Sequence, residues 1–244
     1  MNILCVIPAR YSSTRLPGKP LADIVGKPMI QHVYERAMLA KKPTMVLVAT
    51  DHELVYQAVQ SFGGRAMMTS PDHSTGTDRL AEVAGSFPDV DVIINVQGDE
   101  PLIDPQVIDD LATAFDHDPE LTMATLMTEM AEHEMANPNA VKVITDLNGY
   151  ALYFSRSLIP YPRVTEVGMP VHKHLGIYAY RRNFLLKYAR LNPTPLERTE
   201  SLEQLRALEH GYKIKVIKTN FQSIGVDTIE DLEQVNQLLT KKCD

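Results

Sequence analysis

Three apolar runs limit what this chain can fold into. Residues 3–7, 45–49 and 91–96 are each too short for a free-standing helix and too continuous for a strand with one wet face. Runs of that kind are buried on both sides, as strands are in a parallel sheet covered by helices. Helical patterns separate them. Met29, Ile30, Val33 and Ala37 share one helical face behind Pro28; Leu54, Val55, Ala58, Val59 and Phe62 share another, stopped by Gly63-Gly64. A short strand over 66–68 and a helix from Pro105 through Phe115 continue the alternation. The expected fold is α/β, a mostly parallel sheet flanked by helices, in a single domain over 1–244.

The middle of the chain changes character. Residues 140–145, the turn Asp146-Leu147-Asn148-Gly149 and residues 150–155 predict a β-hairpin. Proline-rich loops (Pro160, Pro162, Pro170) and a strand over 175–180 follow, so antiparallel strands are expected against the parallel half. Leu202, Leu205 and Leu208 mark a helix, 213–218 an edge strand, and 229–239 the last helix, capped by Thr228 with Asp231 in the capping-box position.

The first apolar run ends at Pro8 and opens into a loop carrying Arg10, Arg15 and Lys19, with no acidic residue from Met1 to Ala22. Against a formal net charge of -7 this is a local concentration of positive charge at a strand end, where open α/β sheets hold ligands. Arginine forks and a lysine point charge suit phosphate oxygens. The acidic balance excludes broad nucleic-acid or anionic-membrane binding, so the anion must be small and locally gripped. Gly18-Lys19-Pro20 and Gly26-Lys27-Pro28 lack P-loop spacing, and no G-x-G-x-x-G follows the first strand, so side chains and loop amides must do the gripping. Cys5 and Cys243 form neither a disulfide framework nor a metal cluster, and with no long apolar span a cytoplasmic protein is expected.

Asp99 follows a buried strand, and Asp227 lies between Gly225-Val226 and the cap of the last helix. Magnesium takes one or two carboxylates and completes its shell with water and phosphate, so two aspartates facing a cationic loop suit it. The alternatives are a turn former beside Gly98 and an auxiliary helix cap. The loop 72–79 leads into a helix with Thr77 as the expected N-cap, and Ser74 to Gly76 can bring backbone groups against a base or ribose. His172, Lys173 and His174 read as a surface cluster, with His174 a hydrogen-bonded bystander. Glu203 and Gln204 read as the solvated side of a helix.

The stretches IPARYSSTRLPGKPL, SPDHSTGTDRLAEV, INVQGDEPLI, NPNAVKVI, YALYFSR, HLGIYAYR, SLEQLR and GVDTIEDLE, in that order, resemble the 3-deoxy-manno-octulosonate (Kdo) cytidylyltransferases over 3–235. The first motif alone indicates the wider group that couples cytidine to keto-acid sugars; HLGIYAYR with SLEQLR points to the Kdo branch. The resemblance implies a nucleotidyltransferase fold, a cytoplasmic homodimer, and transfer from CTP to Kdo with release of pyrophosphate. It implies that Arg10 and Lys19 hold the triphosphate with Arg15 nearby, and that Asp99 and Asp227 bind magnesium. Pro8, Ala9, Ser74, Gly76, Thr77 and Arg79 would surround the cytidine, and Gln97, Arg156, His174, Tyr178, Glu203 and Gln204 would line the sugar site. The hairpin and the strand from Leu175 would build the dimer contact, and no general base is implied. The 163–171 loop is shorter than the resemblance leads one to expect, which leaves an amino-substituted Kdo or sialic acid as alternative acceptors. A sugar-phosphate nucleotidyltransferase would carry a glycine-rich loop where Pro8-Ala9-Arg10 stands, and a binding module without turnover would have little use for the paired aspartates.

Overall fold

The computed structural model describes residues 1–13, 15–164 and 170–243. Its centre is β1 (Ile3–Ala9), flanked in parallel by β4 (Met45–Thr50) and β6 (Val92–Asn95), with β5 (Ala66–Met68) parallel beyond β4. On the other side, β10 (His172–Arg181) is wedged antiparallel between β6 and β7 (Met123–Glu129), and β11 (Lys215–Lys218) closes that edge parallel to β7. The expected hairpin, β8 (Lys142–Thr145) with β9 (Ala151–Ser155), hangs from β10. The late strand lies antiparallel against the parallel half as expected, and it does so inside the nine-stranded sheet, between β6 and β7.

Alternation along β1 sorts the core. Ile3, Cys5 and Ile7 face one side, packed with α1 (Met29–Ala37), α2 (Glu53–Ser61) and α4 (Pro105–His117). Leu4 and Val6 face the other, with α3 (Gly76–Ser86), α5 (Arg182–Tyr188) and α7 (Gln204–Glu209). The short α6 (Pro195–Glu200) precedes α7. Burial pushes the Cys5 thiol up to about 12, so it packs as an apolar group; the side chain of Cys243 lies outside the described residues.

A third, smaller cluster matters most for the site. Leu16, Ile24, Met29, Val226 and Val235 are buried together. They tie the loop after β1 and the two-stranded turn of β2 (Asp23–Ile24) and β3 (Lys27–Pro28) to α8 (Ile229–Cys243). That turn runs through Val25 and Gly26, both at positive φ. The first and last segments of the chain thus share one apolar seam. Two helix starts were legible in part: Thr228 and Asp231 form the expected cap of α8. At α3, however, Thr75 caps with Asp78, and Thr77 is the second residue of the first turn. The capping box needs its acid three residues on, which only Thr75 has.

Candidate active site

The loop leaving β1 turns at Gly18, whose positive φ starts a 3-10 turn over Lys19–Leu21. This turn points the Lys19 ammonium at two acids. Its Nζ donates to Asp99 Oδ2 at 2.6 Å and to Asp227 Oδ1 at 2.7 Å. The other Asp227 oxygen lies 3.1 Å from the Arg15 guanidinium. Burial alone would lower the pKa of Lys19, but the Asp99 charge and the bonds to both carboxylates outweigh it and hold the ammonium above its ordinary value.

Local backbone contacts explain the convergence. Gly98 passes so close to β1 that a Cβ there would stand 2.7 Å from the Pro8 carbonyl, so Asp99 leaves β6 against the mouth of β1. Val226 N then donates to Asp99 O at 2.9 Å, zipping the two acidic segments together. Asp231, not Asp227, accepts from the amides of 227 and 228, so Asp227 does no capping and its carboxylate is free for Lys19. Beside Asp99, Glu100 is buried and its carboxyl is pushed up to about 7 by that burial, with Ser223 donating to one oxygen.

Lys19, Arg15, Asp99 and Asp227 wall a cleft of about 530 Å³ that also takes in Pro8, Ala9, Arg10, Ser74, Gly76 and Gln97. A smaller cavity of about 170 Å³ adjoins it and shares Pro8, Gly76 and Gln97. Its walls are Thr77, Asn95, Met123, Tyr178, Tyr180, Tyr188, Glu203 and Gln204. Burial raises the three phenols well above their ordinary pKa, so they stay protonated donors and acceptors. Burial also raises Glu203, whose Oε2 accepts from Thr77 at 3.0 Å. Among the described residues Asn95 Oδ1 and Glu203 Oε1 have no hydrogen-bond partner, the latter having only the Arg206 guanidinium 3.7 Å away, which suits a neighbour rich in hydroxyl donors.

Three of the singled-out residues sit elsewhere. Arg79 is fully buried and lines neither cavity. It pairs with Asp51 at 2.7 Å and touches Thr69, joining α3 to the ends of β4 and β5. The Arg156 guanidinium is taken by the carbonyls of Pro138, Glu200 and Ser201. His174 is buried rather than on the surface, behind Tyr178, and burial pushes its pKa down to about 3. Gln204 is buried too, not solvated. Of the short 163–171 loop, 165–169 lie outside the described residues.

Sequence reasoning passed over Asn95, Met123, Tyr180 and Tyr188 in the small cavity and Ser12 and Ser13 in the cleft. The serines carried a signal, being polar residues within the cationic loop; the others become neighbours only through folding.

A family model described as cytidylyltransferase matches residues 4–214. The chain is 54% identical to the 3-deoxy-manno-octulosonate cytidylyltransferase of Geotalea daltonii, over 98% of this chain and 98% of that one. It is also 54% identical to the protein of the same name from Solibacter usitatus, over 97% and 94%. A solved structure of CMP:2-keto-3-deoxy-manno-octonic acid synthetase complexed with CTP superimposes with a TM-score of 0.95 at 49% identity, over 99% of this chain and all of that one.

Proposed function

The chain belongs to the 3-deoxy-manno-octulosonate cytidylyltransferase family, and from that premise we propose that it transfers the cytidylyl group of CTP to the anomeric hydroxyl of Kdo. The sugar oxygen forms a bond to the α-phosphorus, the bond from that phosphorus to the bridging oxygen breaks, and pyrophosphate leaves. The observation that carries this reading is the junction of Lys19, Arg15, Asp99 and Asp227 at the mouth of β1, on the wall of a cleft large enough for a nucleotide. Lys19 and Arg10 would balance the triphosphate charge, and the adjoining tyrosine-lined cavity would hold the sugar with its hydroxyls toward Asn95 and Glu203. Positioning and electrostatics carry most of such a transfer. No side chain is assigned to take the hydroxyl proton.

Magnesium fits the donor set. Two carboxylates converge on one ammonium, and all-oxygen ligands suit this ion. Asp99 and Asp227 would hold it, and when bound it would neutralise phosphate charge and stabilise departing pyrophosphate. The reading extends to a cytoplasmic homodimer, supported by CTP being a cytoplasmic metabolite and by the apolar, open-edged hairpin.

The test is pyrophosphate release from the protein with CTP and magnesium, given Kdo, an amino-substituted Kdo, sialic acid or a sugar phosphate in turn. Release with Kdo is expected to exceed the others. Release only with a sugar phosphate, or with no acceptor at all, would sink the assignment.

A further inference from the structure

β10 loses register with β7 in the middle of the sheet. Leu175 stands opposite Leu126 and Tyr178 opposite Thr125, so Gly176 and Ile177 have no residue across from them. A bulge in a buried strand leaves carbonyls that need donors. Here the carbonyls of Leu175 and Ile177 both lie on the Thr125 hydroxyl, at 3.1 and 2.8 Å. The third neighbour of that hydroxyl is His174 Nε2, at 3.0 Å. Carbonyl oxygens only accept, so the single hydroxyl proton goes to them. The ring nitrogen facing the hydroxyl oxygen must then carry a hydrogen and donate it. One fully buried side chain thus shares its proton between two carbonyls of the bulge and fixes the tautomer of a histidine.

The carbonyl between them, Gly176 O, accepts from the Gln97 amide nitrogen at 2.8 Å. That bond decides which way the Gln97 amide faces, and Gln97 lines both cavities. Tyr178, the first residue back in register, packs on the His174 ring with centroids 5.4 Å apart and walls the smaller cavity. Thr125 itself lines neither cavity.

We propose that Thr125 is a positioning residue for the acceptor: its hydroxyl holds the β10 bulge in the shape that aims Gln97 and Tyr178 into the smaller cavity, and holds His174 with its hydrogen on Nε2. This rests on the reading of that cavity as the acceptor's. Thr125→Val keeps the shape and removes the hydroxyl, and should raise the KM for Kdo by about tenfold or more while the KM for CTP stays put. Thr125→Ser, which restores the hydroxyl, should return the KM for Kdo toward the original. In the unmodified protein, long-range proton–nitrogen spectra of the histidine rings should show the His174 hydrogen on Nε2, a measurement that needs no variant to fold. An unchanged KM for Kdo in Thr125→Val, an equal rise in both KM values, or a hydrogen on Nδ1 would overturn the proposal. No turnover of Kdo by the unmodified protein would instead defeat the acceptor reading, and the ring spectrum would still decide whether Thr125 holds the bulge.

Discussion

Lys19 holds two carboxylates with one ammonium, and a divalent cation arriving at Asp99 and Asp227 must compete with it. Lys19→Met keeps most of the stem and leaves two acids facing each other without a counter-charge. That variant should bind manganese, a probe for the same oxygen ligands, about tenfold or more tighter than the unmodified protein when no nucleotide is present, while transfer falls about a hundredfold. Paramagnetic resonance of free manganese reads the first effect and pyrophosphate release the second. Equal manganese affinity in both proteins would show that Lys19 is no competitor. Asp99→Asn should lose the ion and cut turnover by about a hundredfold or more, with the unfolding transition unmoved. His174 makes a different kind of prediction. Its folded pKa of about 3 lies below the ordinary 6.5, so between those values the unfolded chain takes a proton that the folded one refuses. Stability therefore falls as pH drops through that window, by on the order of 2 kcal/mol from about pH 6.5 to about pH 5. Urea midpoints should fall less over that range in His174→Gln than in the unmodified protein; parallel curves would remove His174 from the acid sensitivity.

At the level of elements, α8 docks on the turn that follows β1 and steadies the Asp227 segment just ahead of it. Val235 is fully buried in the seam with Leu16, Ile24, Met29 and Val226, and Val226 is next to Asp227. Val235→Ala should cost about 1–3 kcal/mol and, by loosening Asp227 from Lys19, raise the KM for CTP as well. Denaturation and initial rates on one preparation would check both, and a stability loss with unchanged kinetics would show that the seam does not set the site. This long-range seam joins the chain's two ends, yet its outcome was partly legible, because the acid-free loop, Asp99 and Asp227 each stand at a strand or helix end. β1, β4 and β6 were legible as apolar runs. β7 was not: Met123–Glu129 mixes methionine, alanine, threonine and leucine, which favour helix and strand about equally, and pairing with β10 and β11 decides the matter. α5 has no side-chain cap to announce it. α6 opens on Thr194-Pro195 with Glu197 accepting from the Thr194 amide, but it is too short to show an apolar stripe. The small cavity was legible only in part, because Asn95, Tyr180 and Tyr188 come from β6, β10 and α5. Arg79 shares the polar stretch of Ser74 and Gly76, but helix geometry turns it inward to Asp51.

For the whole molecule, the unfinished surface is the hairpin. Among the described residues β9 pairs as a strand with β8 alone; on its other side the Ala151 amide donates to the Ile214 carbonyl, and the residues beyond it face no strand. Leu152 on that strand is 60% exposed, and Leu147 in the turn is fully exposed at 106%. Tyr161 and Val164, in the loop beyond β9, are 84% and 60% exposed. Soluble chains usually blunt an open edge with charge, a bulge or a cover. An edge left apolar instead is a template for a second copy, and a twofold axis lets each hairpin cover the other with the same residues. A stable pair buries on the order of 1,600 Å² or more, which requires the hairpin and the loop after it together. Sedimentation should therefore give twice the chain's mass at micromolar concentration. Leu152→Glu places a charge on the edge strand at the expected seam and should shift the equilibrium toward single chains. Its side chain is exposed in the isolated chain, so the fold should survive and the unfolding transition should become independent of protein concentration. A single-chain mass for the unmodified protein at every concentration would leave the hairpin an uncovered edge and remove the dimer from the account.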